Sequence, residues 1–111
     1  MNIDPQTAKI RQLNDRLRQT GRGGRVMITR GIQALGEQSV AAIIAKVRAF
    51  DTFTPDNDPW QEHDYGKFVH DGQNVLFKID YYDLAMKLAS PDPSDPKVTT
   101  RILTVMTAEE Y

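Results

Sequence analysis

Apolar positions along the chain follow two rhythms, and the rhythm changes in the second half. Ile10, Leu13 and Leu17 recur every three or four residues, as one face of a helix requires. Asp4 before Pro5 starts that helix, because a carboxylate caps free N–H groups and Pro suits the first helical position. The spacing predicts a helix over 5–19, ended by "GRGG" at 21–24. "RVMITR" reads as a strand over 25–30, with Val26 and Ile28 on one side, and Thr29 caps a helical turn holding Ile32 and Leu35. Val40, Ile43, Ile44, Val47 and Phe50 form a second helical stripe, predicting a helix over 37–50. The period then drops to two. Asp71-Gly72 lies between two β-rich runs and signals a hairpin, with strands over 65–70 and 74–82. In "NVLFKIDYYD", Val75, Phe77, Ile79 and Tyr81 point one way and Leu76, Lys78, Asp80 and Tyr82 the other. "SPDPSDP" has three prolines and is neither helix nor central strand, and "VTTRILTVMT" makes a last strand over 98–107.

This order predicts an α+β fold in one domain over residues 1–111. Its mainly antiparallel four-stranded sheet carries two main helices packed on one face. A two-residue turn at Asp71-Gly72 also sets a register, in which Phe68 faces Val75, Lys67 faces Leu76 and Tyr65 faces Lys78. Carried further back, it puts His63 opposite Asp80.

Composition adds limits. A chain of 111 residues buries roughly 65% of its unfolded surface, enough for one core without staples. It has no Cys, which excludes disulfides, thiolate metal sites and a Cys nucleophile. With no apolar run near ~18 residues and no signal-like apolar segment, it reads as a soluble cytoplasmic protein that does not engage membranes. The net charge of −1 conceals an asymmetry: residues 1–48 carry a balance of +6 and residues 49–111 a balance of −7. Such polarity points to a charged partner or to mutual neutralisation of the halves within the fold.

The candidate chemistry concentrates in "FTPDNDPWQEHDYG", residues 53–66, where Asp56, Asp58, Glu62, His63 and Asp64 crowd around Trp60. A His beside a carboxylate is half of a nucleophilic triad, but no Ser or Thr sits in a nucleophile-elbow context. The ligand types suit a divalent metal, yet the spacing matches neither H-E-x-x-H nor an EF-hand loop. On a strand, Glu62, His63 and Asp64 would alternate faces and could not converge on one ion. A nuclease of the D…(D/E)-x-K type needs an acidic residue two before a Lys, and Lys78 has Leu76 there. Asx turns followed by Pro account for "DND-P" more simply, with Asp56 and Asp58 bonding nearby backbone N–H groups. Trp60 is expected to cover the core, with a role as an exposed aromatic anchor as the alternative. "GRGG" lacks the spacing and terminal Lys-Ser/Thr of a phosphate loop. Arg11, Arg18, Arg22 and Arg25 nevertheless form a basic set along the first helix and its exit, suited to phosphates or to acidic residues of the second half.

Taken in order, "LNDRLRQT", "VMITRGIQALG", "FTPDNDPWQEHDYG", "FKIDYYD", "SPDPSDP" and "TRILTVMTAEEY" resemble an uncharacterised bacterial family, the domain of unknown function numbered 3768. The resemblance covers nearly the whole chain. It implies a shared fold and an alphaproteobacterial setting, often on plasmids and other mobile elements, and it carries over no catalytic residues and no cofactor. That setting favours a non-enzymatic protein-binding accessory protein, in the manner of anti-CRISPR or anti-restriction inhibitors. Its partner would be a host protein or nucleoprotein complex, met through Asp56, Asp58, Trp60, Glu62, His63 and Asp64. A nucleic-acid-binding regulator using Arg11, Arg18, Arg22 and Arg25 is the alternative. A metal-dependent hydrolase at the acidic cluster comes third. Oligomeric state is left open.

Overall fold

A computed structural model describes residues 3–111; residues 1 and 2 of the expected domain lie outside the described residues. Helix α1 spans Pro5–Thr20. Asp4 Oδ2 accepts the Thr7 N–H at 3.0 Å, and Gly21, at φ 75°, closes the C-terminus by donating its N–H to Leu17 O. Strand β1, Arg25–Ile28, is shorter than expected because Thr29 turns the chain into the single-turn helix α2, Arg30–Gln33. The Thr29 hydroxyl caps α2 at Ile32 N–H, as the sequence predicts. Helix α3 runs Glu37–Ala49, and strands β2, β3 and β4 are Tyr65–His70, Gln73–Tyr82 and Thr100–Thr107. A 3₁₀ turn, Ala108–Glu110, follows β4; the sequence pattern did not indicate it.

The class is α+β, and the four strands lie in the order β1-β4-β3-β2. The β2–β3 and β3–β4 pairs are antiparallel and β1–β4 is parallel, so the sheet is mixed. The parallel pair is possible because β1 precedes β4 by some seventy residues, which cross over through α2, α3 and the β2–β3 hairpin. The hairpin register holds, with Phe68 opposite Val75, Lys67 opposite Leu76 and Tyr65 opposite Lys78. Asp71 and Gly72 both have positive φ, 48° and 77°, the backbone a tight two-residue hairpin turn requires.

One row of the sheet feeds the core. Val75, Phe77 and Ile79 of β3 join Leu103 and Val105 of β4, and Leu17, Ile32, Ile43 and Val47 from the helices complete the cluster. Full burial of each such side chain stabilises the fold by about 1.5–3 kcal/mol. Phe50 meets Phe77 edge to face at 5.3 Å, and Gly66 lies beneath both rings, where a side chain would not fit.

Candidate functional site

The residues that the sequence singles out lie in the connection between α3 and β2, laid across α1. A buried polar seam joins the two. Asn14, wholly buried on α1, donates to Glu62 O at 2.9 Å and to the Tyr81 hydroxyl at 2.7 Å. Tyr81 donates in turn to Glu62 Oε1 at 2.7 Å. Arg101, also buried, donates to Asn14 Oδ1 at 2.7 Å and to Pro93 O, while its guanidinium rests 5.1 Å from the Tyr81 ring centre. Burial, with the Glu62 bond behind it, drives the Tyr81 phenol far above its usual range, so it acts as a fixed donor. Desolvation lowers the Arg101 pKa, against the pull of Tyr81 and Glu62. Satisfied networks of this kind hold elements in one relative position.

Arg18 performs a second tie. Its Nη1 donates to Val47 O, Arg48 O and Phe50 O at 3.2, 3.1 and 2.8 Å, at the end of α3, where Val47 O also accepts the Phe50 N–H. Nη2 meets Asp15 at 3.0 Å, and the guanidinium lies 5.3 Å from the Phe53 ring centre. A cation at a helix C-terminus is favourably placed against the helix dipole. Arg18 is only 3% exposed and does not reach a phosphate backbone, which removes it from the expected basic set. Arg11 is half-buried and donates through Nε to Gln61 O at 2.8 Å. Arg22 and Arg25 are exposed and make no ion pair among the described residues, so the expected pairing with acidic groups of the second half does not occur there.

His63 does not meet Asp80. The strand begins only at Tyr65, His63 has φ 56°, and its ring stacks on Phe53 with centroids 3.9 Å apart. Nδ1 lies 2.8 Å from Asp15 Oδ1, and Nε2 lies 3.8 Å from Asp58 Oδ2. Asp80 pairs with Lys78 instead. The register argument fails at this point because it assumes continuous β backbone, which the left-handed residues Gln61 and His63 break. Asp58, 5% exposed, is the tie predicted for it: Oδ1 accepts the N–H groups of Glu62 and His63 at 3.0 and 3.1 Å. Asp56 does not share that role. It is exposed, and Asn57 makes the neighbouring turn by bonding Thr54 N–H and Thr52 O. Asp64 is half-buried, and desolvation, with Glu62 nearby, raises its carboxyl above the usual range.

Trp60 reverses its expectation. It is 77% exposed, at the crest of this tied connection, and covers none of the core. An open cleft of about 330 Å³ lies beside it, with Arg11, Phe53, Asp58 and His63 among its walls. The acidic groups do not converge there: Glu62 turns to Tyr81, Asp58 to backbone, and Asp56 to solvent. Among the described residues, no group of three or more His, Asp or Glu side chains is gathered as a metal site requires. Sequence reasoning missed Asn14, Asp15, Phe53, Tyr81 and Arg101. Asn14 left a signal, since Ile10, Asn14 and Leu17 lie at i, i+4 and i+7 on the buried stripe.

Fold and site together define a small α+β domain whose α3–β2 connection is locked to its first helix and displays an aromatic residue. The chain belongs to the family described as Protein of unknown function (DUF3768), whose profile matches residues 28–110. No curated protein and no solved structure matches the chain. Among the described residues, no helix is long and apolar enough to cross a membrane.

Proposed function

We propose that the protein is a non-enzymatic binding protein that engages a host protein or nucleoprotein complex through the Trp60 crest. Its cytoplasmic role is that of a mobile-element accessory, with anti-CRISPR or anti-restriction inhibition as the leading form. One observation carries the reading: a Trp almost fully in water on backbone that Asp58, Arg11 and Asn14 tie down. Exposed tryptophans cost solvation, and rigid ones lose little entropy on binding, so they serve as interface anchors. Two non-glycine residues in left-handed backbone, Gln61 and His63, are held beside it at a cost of order 1–3 kcal/mol each. Asp56 supplies exposed negative charge nearby, while Asp58, Glu62, His63 and Asp64 shape and brace the surface more than they touch the partner. The body behind the crest is read as a sheet with both main helices on one face, in keeping with the shared core of Leu17, Ile43, Val47 and the inward sheet row.

Affinity capture from a host lysate, with and without nuclease, tests this when run beside Trp60→Ala. At 77% exposure the substitution changes stability by less than about 0.5 kcal/mol. Loss of an anchor costs about 2 kcal/mol or more of binding, roughly a thirtyfold drop in affinity. A partner retained equally by wild type and Trp60→Ala refutes the reading.

A nucleic-acid regulator is the second reading, favoured by the unpaired Arg22 and Arg25 and narrowed by the burial of Arg18. With Arg11, Arg22 and Arg25 as the phosphate contacts, duplex binding would show a log–log salt slope of roughly −2.7. A slope near zero excludes it.

A further inference from the structure

We infer that the free edge of β1 is a second binding site, independent of the Trp60 crest, and that it takes an extended acidic peptide segment by strand addition. β1 is an outer strand, bordered by β4 alone. Thr29 N–H donates to Val105 O at 3.2 Å, and a parallel ladder engages alternate residues of each strand. Arg25, Met27 and Thr29 therefore turn their backbone groups to β4, and those of Val26 and Ile28 point outward. The Ile28 carbonyl is closed by Gln33 Nε2 at 2.8 Å. No side-chain closure of this kind is found at Val26 among the described residues, and β4 is the one strand beside β1, so the outward N–H and C=O of Val26 stand open at the edge. The residue is 41% exposed.

Beside this open position lies an apolar slot of about 110 Å³ between β1 and α3. Leu17, Val26, Ile44, Val47 and Leu103 are among its walls, and Arg48 stands at its border. Apolar cavities only somewhat larger, near ~150 Å³, stay dry and accept a benzene-sized group. The slot thus suits one branched aliphatic side chain. Its surroundings select the charge of the incoming segment. Arg22, Arg25 and Arg48 are all exposed, none makes an ion pair among the described residues, and no described carboxylate pairs with them across the edge. An edge strand that supplies backbone bonds, next to a pocket that reads one side chain, is the arrangement by which strand addition obtains affinity and specificity.

The test uses a fluorescein-labelled octapeptide, Glu-Asp-Val-Leu-Val-Glu-Asp-Glu, followed by fluorescence anisotropy and by amide chemical-shift mapping on the full chain. Saturable binding below about 1 mM is expected, with shifts centred on 24–28 and 44–48. Val26→Pro should lower affinity at least tenfold. It removes the outward N–H but none of the β1–β4 bonds, and Pro is tolerated on edge strands for that reason. Arg48→Glu, a surface change that does not touch the fold of the strand, should weaken binding about tenfold as well. A peptide with Asp in place of the central Leu should not bind. Absence of saturation overturns the inference, as does equal binding of the Asp peptide. Binding unaffected by both Val26→Pro and Arg48→Glu also overturns it. Shifts centred on 56–63 assign the peptide to the Trp60 crest instead. Displacement by duplex DNA that is insensitive to Val26→Pro assigns the surface to nucleic acid.

Discussion

Arg18→Ala separates the buried from the exposed reading of the basic helix. In the folded chain one Arg18 nitrogen bonds three carbonyls at the end of α3 and the other bonds Asp15, with the side chain 2% exposed. Truncation leaves Arg48 O and Phe50 O without this donor and Val47 O with the Phe50 N–H alone, and among the described residues Asp15 keeps its contact with His63. Removing one member of a buried ionic arrangement costs about 3–5 kcal/mol, a large part of the ~5–15 kcal/mol that holds a domain together. Equilibrium urea unfolding is the assay. At an m-value of roughly 2 kcal/mol/M, a loss of about 4 kcal/mol moves the midpoint down by about 2 M with m unchanged. Arg18→Lys should fall between, near 2 kcal/mol, since one ammonium cannot span three carbonyls and a carboxylate as the guanidinium fork does. A midpoint for Arg18→Ala that matches a surface substitution, within about 0.5 kcal/mol, would refute the buried tie and return Arg18 to the phosphate-facing set.

Other outcomes follow from single contacts. Glu110 receives the Thr29 hydroxyl and the N–H groups of Thr107 and Gly31, and these bonds hold its carboxyl down at about 2. Because the folded value lies below the unfolded one, near ~4.3, its contribution is complete above that pH and is lost as pH falls toward 2. Urea midpoints of Glu110→Gln should therefore fall less steeply between pH 5 and 2 than wild type; parallel curves would contradict this. Gly66→Ala would set a Cβ 2.4 Å from Phe77 Cε2 and 2.7 Å from Phe50 Cε1, so it should destabilise by about 1–3 kcal/mol where Ala in an open strand would stabilise. A thermal melt that rises sinks the close-approach argument. Asp58→Ala should cost roughly 1 kcal/mol through loss of its two backbone bonds, and should release Trp60, seen as increased mobility in fluorescence anisotropy decay. An unchanged decay would show that the crest is held by other contacts.

Local pattern accounts for much of this molecule. The Asp4-Pro5 cap, both main helices, the Asp71-Gly72 hairpin with its register and the alternation of β3 depend on neighbours a few residues apart, so the sequence carries them directly. The family resemblance also rests on contiguous blocks, and the profile match over 28–110 agrees with it. Long-range relations were not legible. Whether β1 joined the sheet parallel or antiparallel depended on the crossover through α2 and α3. Arg18 and Trp60 exchanged their expected places because burial depends on what lies opposite. The end of α3 offered Arg18 three carbonyls in a dry position, whereas Trp60 stays 77% exposed among the described residues. His63 lost Asp80 and gained Asp15, 48 residues away, once two left-handed residues turned its ring off the strand. Side chains with strong local preferences declare their structure, and the partners of charged or amphipathic ones are decided by whichever surface the fold brings within three ångströms or so.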